Sequence, residues 1–494
     1  MKVLLVNPPQ QFYPGSDPPA GNLPLGLMYI AAVLDKAGYK TEILDAFMTD
    51  SSFLKVGDTL EVGMPYRKIH EEIRRRKPDI VGIASPFTCQ AENAIRVGDI
   101  AKEVNPNILT VVGGPHVTAV PVEFLEEAKS IDIAVIGEGE YTMLDIVKFF
   151  EGIKKISDVQ GIAYRLDGAI KQNELRPFLE DLDELPYPAY HLVDIEQYLN
   201  PRKIEYRSFK DRAVSMITSR GCPFNCNFCS VHLHMGNKFR AHSVNYVINH
   251  IEYVVNKFGV KTIFFEDDNL TFDMKRFESI CDKMIEKGVK FNWETPNGIR
   301  ADYLTLSLLK KMKKSGCQSV FFGIESGDQY ILDNIIGKSL NLKKVVNVAK
   351  MCKDIGISTA AFYIIGFPGE KKENMLRTVE LALRLKSDFD VGMLLHVATP
   401  SLGTRLYEEC KKKGYLQGEL TSRAFAEVRQ TRGMPLISTE DFMAGEVKEI
   451  ASMAVKRYRR LSMINYFKNP WKTLKTALNQ PKIVLKFIQN LKSA

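Results

Sequence analysis

At 494 residues the chain exceeds the size at which one hydrophobic core stops growing, so two domains and an appendage are expected. Its 45% hydrophobic and 26% charged residues are those of a globular protein, and the lack of any run of about 18 apolar residues argues against a membrane span. The net charge of +8 is uneven: residues 451–494 hold ten Lys or Arg and no acid, which leaves the preceding 450 at −2 and removes the general nucleic-acid reading of a high pI.

The opening run MKVLLVNPP stops at two prolines and reads as a buried first strand, not a signal peptide. Further apolar runs follow in KTEILDA, PDIVGIAS, ILTVVGGP and IDIAVIGE, separated by helical stretches such as LGLMYIAAVLDKAGY and AENAIRVGDIAKEV. Continuous apolar strands alternating with helices predict an α/β domain over 1–150, Rossmann-like, with a parallel sheet covered on both faces. Ligands in such sheets gather at the carboxyl ends of the strands. Asn7, Asp45, Ser85, Gly113, Gly114, His116, Gly137 and Glu138 are the residues expected there.

Residues 151–210 read as a connector interrupted by Pro186 and Pro188. A second alternating series runs over 211–410, from AVSMITSRG through KTIFFEDD, KFNWETPNGIR, QSVFFGIES and ISTAAFYIIGFPG to DVGMLLHVATP. Six parallel strands predict an open, partial (β/α)6 barrel, whose sites lie at the carboxyl strand ends. Residues 411–494 read as a mostly helical extension with a basic amphipathic tail.

Eight cysteines are too sparse for a secreted disulfide scaffold, and Cys89, Cys281, Cys317, Cys352 and Cys410 read as isolated buried thiols. The other three, Cys222, Cys226 and Cys229 in RGCPFNCNFC, stand close together after the strand MITSR. Three soft thiolates can hold an iron-sulfur cluster and leave one iron open to another ligand. Zinc is the rival, with His232 or His234 as a fourth ligand. Either reading expects a reducing, cytoplasmic setting.

This cysteine spacing resembles that of the radical S-adenosylmethionine (SAM) superfamily. LLVNPP, GGPH, GEGE and LPYPAYHL resemble the branch with a B12-binding domain ahead of the radical domain, which includes methyltransferases and the anaerobic magnesium-protoporphyrin monomethyl ester cyclases. The resemblance implies a 4Fe-4S cluster on Cys222, Cys226 and Cys229, SAM on the open iron, and cobalamin in the first domain. It implies that Phe228 lies near the adenine, that Glu266, Asp267 and Asp268 face SAM, and that Glu325 lies near its ribose or carboxylate. Gly366, Phe367, Pro368 and Gly369 would support the adenine side, and Arg240 would contact the SAM carboxylate. An electron donor such as flavodoxin or ferredoxin is implied as partner. The Asp-x-His-x-x-Gly segment whose His coordinates cobalt in many corrinoid domains is absent, since DAFMTDS follows the second strand.

The tail interleaves Met463, Ile464, Tyr466, Phe467, Trp471 and later apolar residues with lysines, a pattern suited either to docking on the barrel or to a peripheral membrane contact. The expected activity is cobalamin-dependent methylation of an unactivated carbon in a small molecule or lipid. The alternatives are radical cyclisation or carbon-carbon bond formation on a lipid or tetrapyrrole-like substrate, and a sensor without turnover. No nucleic-acid partner is expected.

Overall fold

Five apolar runs near the amino terminus become β1 (Lys2–Asn7), β2 (Lys40–Asp45), β3 (Ile80–Ala84), β4 (Leu109–Gly113) and β5 (Ile133–Val135). They are parallel and ordered β2-β1-β3-β4-β5 in a computed structural model that describes residues 1–13, 21–49, 53–57, 59–199, 212–431 and 433–468. Side chains alternate between two covered faces: Val3 and Leu5 pack with Met28 and Val147, while Leu4 and Val6 pack with Ile73 and Val97. Because β1 has β2 on one side and β3 on the other, the chain reverses its winding there. The crevice beyond Asn7 and Ala84 is the ligand position of this topology.

The sheet does not end at residue 150. β6 (Ile162–Leu166) and β7 (Ala169–Gln172) extend it antiparallel, so the first part of the expected 151–210 connector is sheet. The turn between them, Asp167-Gly168, has both residues at positive φ, as a tight hairpin needs. The apolar Ile162, Ala163 and Tyr164 cover the edge of β5. The LPYPAYHL phrase then lies on the barrel helix Val244–Phe258, where Tyr187 stacks on His250 at 4.4 Å and the Tyr190 hydroxyl meets His250 Nε2 at 3.0 Å.

The barrel is the expected open sheet of six parallel strands. In sequence and spatial order they are β8 (Ala213–Met216), β9 (Thr262–Phe265), β10 (Asn292–Ile299), β11 (Cys317–Glu325), β12 (Ser358–Ile365) and β13 (Gly392–Val397). The outer helices begin where a polar side chain can accept a first-turn N–H: Ser243, Asp273, Thr305 and Asn341 each cap one.

The carboxyl-terminal extension contains helices Ser422–Thr431 and Ala444–Lys468. Phe425 packs with Cys89 of the first domain and Leu402 of the second, so the extension closes over the seam between them. Val447 lies against the barrel at Gly366, and Arg457 pairs with Glu380 at 2.6 Å. This part of the extension docks on protein. The tail beyond Lys468 lies outside the described residues, and no described helix is long and apolar enough to cross a membrane.

Candidate active site

The cysteine loop is a closed excursion from the barrel. It leaves through Ser219–Arg220 and returns through Arg240–Ala241, and these two pairs form a short antiparallel ladder with Arg220 opposite Arg240. Three further elements hold the loop. From the end of β9, the Asp268 carboxylate accepts the Gly221 N–H at 2.9 Å, and Asn269 Nδ2 donates to Cys222 Sγ at 3.6 Å. From the turn after β11, the Ile336 carbonyl accepts the Asn227 N–H at 2.9 Å. From the helix Arg405–Lys413 after β13, the Leu406 N–H donates to the Asn227 carbonyl at 2.9 Å, and Arg405 donates to that of Asn225.

Asp267 is 2% exposed and accepts from Thr218 N at 3.2 Å, Thr218 Oγ1 at 2.7 Å and the Ser219 hydroxyl. Asp267 and Asp268 therefore anchor the approach to the cysteine loop. A carboxylate closing an apolar strand needs partners, and the nearest donors are those of the adjacent chain. Glu266 faces the other way and accepts from the Ser215 hydroxyl at 3.0 Å. Burial raises the pKa of Glu266 and Asp267, and pushes Asp268 up to about 6.

All three cysteines are half-buried free thiols; Cys281, Cys317, Cys352 and Cys410 are buried elsewhere, as expected, whereas Cys89, expected to be buried, is half-buried. Burial raises Cys226 and pushes Cys229 up to about 12, while the Lys338 and Arg300 charges act the opposite way on Cys226. Lys338 donates to Glu325 at 2.7 Å, and Arg300 lies 4.2 Å from the centroid of Phe224. Glu325, at the end of β11, has φ of +66°, a strained conformation for a side-chain-bearing residue and one that clusters at functional positions. Phe228 packs 5.7 Å from Phe367, which places the loop's aromatic residue on the Gly366 to Gly369 turn.

That turn is built on Glu370, a fully buried carboxylate accepting the N–H groups of Gly366 at 2.7 Å and Phe367 at 2.9 Å. Burial pushes Glu370 up to about 7 from an ordinary 4.5. Folding thus raises the pKa of an acid, so the native state keeps a proton the unfolded chain has lost, and stability from this group falls as pH rises through that window. Glu370→Gln is expected to abolish a pH-dependent loss of about 3 kcal/mol. Thermal melts at pH 5 and pH 8 check this: the drop in midpoint should shrink in the variant.

At the sheet edge, Asn7 donates to Asp45 at 2.8 Å, and Tyr198 closes the other carboxylate oxygen. Burial raises Asp45 to about 6. Asn7 is thereby committed to its neighbour, while the Ser85 hydroxyl, at the winding reversal, is buried without a hydrogen-bond partner among the described residues. Gly114 follows Gly113 with φ of +132°, and a Cβ there would stand 2.6 Å from the Ser85 carbonyl oxygen. Gly114→Ala is expected to cost about 3 kcal/mol and to push the Ser85 strand end into the crevice. Melting temperature and dialysis with hydroxocobalamin report the two effects.

His116 takes the satisfied reading: its Nδ1 meets Thr88 Oγ1 at 3.2 Å, and burial lowers its pKa to about 4. It lines a cavity of about 240 Å3 with Phe87, Thr88, Ser230, His234 and Phe425, drawn from both domains and the extension. His234 belongs to this seam.

Glu138 and Arg240 meet each other. Arg240 donates to Glu138 at 2.9 Å, to the Leu179 carbonyl at 2.7 Å and to that of Met235 at 2.7 Å. Both were expected to bind cofactors, and the structure instead spends their charges between the two domains. Arg220 joins them, donating to Glu138 at 2.8 Å and Glu140 at 2.6 Å. Arg220, Glu140 and Lys338 were not foreseen. An arginine beside the cysteine motif and a GEGE turn are visible signals, but their pairing spans 80 residues.

Residues 22–147 match the B12 binding domain model, and residues 216–382 match the radical SAM superfamily model. The chain is 34% identical to an uncharacterized methyltransferase of Pyrococcus horikoshii, covering 83% of each. It is 30% identical to the cytidylyl-2-hydroxyethylphosphonate methyltransferase of Streptomyces wedmorensis, covering 92% of this chain and 89% of that one. This chain belongs to the B12-binding radical SAM family. Its fold is shared with a solved radical SAM methyltransferase from Kitasatospora setae, at a TM-score of 0.65 and 15% identity over 85% of this chain and 79% of that one. Membership makes the protein a radical SAM enzyme with a 4Fe-4S cluster, SAM and cobalamin as cofactors, an external reductant and a small-molecule substrate. The residues present fit them. Three thiols on one braced loop suit a cluster with an open iron, and the orphaned Ser85 hydroxyl at the winding reversal suits a ligand of the first domain.

Proposed function

We propose that this protein is a cobalamin-dependent methyltransferase that adds a methyl group to an unactivated carbon. The observation that carries the reading is the facing of the cysteine loop and the B12-domain strand ends across one seam, lined by Ser230 and His234 on one side and Thr88 and His116 on the other. When bound, the cluster supplies the electron that cleaves SAM, and cobalamin carries the methyl group.

The chain's residues divide the remaining work. Cys222, Cys226 and Cys229 would hold the cluster. Asn269 donates to the first thiol and Asp268 holds the backbone of Gly221 just before it, while Phe228 and Phe367 form an apolar wall beside the loop. Glu325, one of whose carboxylate oxygens is taken by Lys338, would offer the other to the hydroxyls of a ribose. Ser85, Gly113 and Gly114 would receive cobalamin at the sheet edge. The electron would come from a flavodoxin or ferredoxin.

Anaerobic purification with cobalamin supplied, followed by mass spectrometry of extracts from cells with and without active protein, tests the reading. A metabolite gaining one CH2, with both S-adenosylhomocysteine and 5′-deoxyadenosine formed, is the expected result. Loss of hydrogen or joined chains without an added carbon would replace methylation with cyclisation.

A further inference from the structure

The loop that carries Cys222, Cys226 and Cys229 has a neck, and both residues of that neck reach into the other domain. Arg220 and Arg240 face each other across the two-residue ladder that closes the loop. Their guanidinium groups converge on Glu138, and Arg220 also takes Glu140. Glu138 follows Gly137 beyond the end of β5, and Glu140 opens the helix Glu140–Phe150, so both carboxylates belong to the B12-domain edge. Phe178 adds a third contact: its ring lies 5.0 Å from the Arg240 guanidinium and against Gly236, within the loop.

All four charged side chains are 9% exposed or less. Two positive and two negative charges balance, which is the condition under which burial is tolerated. Such a group adds little net stability compared with apolar packing, but it accepts only one geometry, because any slip leaves a buried charge unpaired. A contact meant only to glue two domains does not need this chemistry. One meant to hold the thiols at a fixed place relative to the sheet edge does.

We propose that Arg220 is a positioning residue that sets the cluster loop against the cobalamin edge and so keeps SAM cleavage in register with methyl transfer. The proposal rests on the methyltransferase reading above. The Arg220 guanidinium is spent on Glu138 and Glu140. It acts through Gly221 on Cys222.

The test uses the full chain, reconstituted with cluster and hydroxocobalamin, reduced with dithionite and given SAM alone. Arg220→Met and Glu140→Gln are expected to retain iron and cobalamin and to form 5′-deoxyadenosine at close to the wild-type rate. Formation of S-adenosylhomocysteine, which needs SAM and cobalt in register, should fall about tenfold or more. Arg220→Lys should recover part of it. Pulsed EPR between the reduced cluster and cob(II)alamin gives a readout independent of turnover: one narrow distance distribution in wild type, broadened in both variants. Fully loaded variants with the wild-type distribution and product ratio would overturn the proposal. Should Arg220→Met not fold, Glu140→Gln decides alone, because it leaves Arg220 paired with Glu138. A wild-type protein that binds no cobalamin would overturn both this proposal and the reading beneath it, and dialysis tells that result apart from unchanged geometry.

Discussion

Cys226→Ala is expected to leave the protein folded while reducing SAM cleavage to background, a loss of about 1,000-fold or more, which corresponds to at least 4 kcal/mol of barrier. A four-iron cluster with only two protein thiolates has two irons without protein ligands and is not retained. The thiol itself contributes little to folding, since the loop is held by Asp268, Asn269, Ile336 and Leu406, none of which bonds to Cys226. Truncating one half-buried thiol costs about 1 kcal/mol. Cys352→Ala is the matched control. Its thiol is fully buried in the barrel core, so the loss there should be about 1 to 2 kcal/mol with iron content and cleavage intact. Iron per chain, visible absorbance and 5′-deoxyadenosine yield separate the two outcomes. Full iron in Cys226→Ala would remove it from the proposed ligand set.

What could be read from the sequence follows the range of the interactions concerned. Most strands of the two main sheets are apolar runs ended at or soon after by Gly, Pro or a carboxylate, a local pattern, and these appear where the runs place them. The cysteine triplet is equally local. The hairpin at Asp167-Gly168 had its own local signal, a pair of turn residues between apolar runs, yet its antiparallel docking on β5 depends on an edge that only the folded sheet supplies. Side-chain roles were legible in proportion to how near their partners lie in sequence. The sequence shows Asp267 and Asp268 as carboxylates at a strand end, but not that Thr218 and Gly221, nearly 50 residues earlier, use them. Glu138 and Arg240 stand 102 residues apart, and each alone resembles a ligand-binding residue. Lys338 follows a turn after β11 and has no local mark distinguishing it from surface lysines, although it is the partner of Glu325.

Asp267→Ala should be the most destabilising of the substitutions considered, at about 3 to 5 kcal/mol. The carboxylate is the acceptor for Thr218 N, Thr218 Oγ1 and the Ser219 hydroxyl, all buried, and its removal orphans these donors without opening a path for water. It also removes the negative charge facing the Arg276 guanidinium, which bonds to the Thr218 carbonyl at 2.9 Å and the His242 carbonyl at 2.8 Å. Both strands entering the loop neck are therefore loosened, one at Thr218 and Ser219, the other at His242, whose N–H bonds to the Thr218 carbonyl at 3.0 Å. Asp267→Asn keeps the volume and one acceptor oxygen but sets an amide against donors, so an intermediate loss of about 2 kcal/mol is expected. Because Thr218 and Ser219 lead directly into Arg220 and Cys222, iron content should fall in the same order as the melting temperature: wild type, Asn, Ala. If Asp267 instead served SAM without bracing the loop, the Ala variant would keep its melting temperature and its iron and lose only SAM affinity. Measuring all three quantities on one preparation decides between these roles.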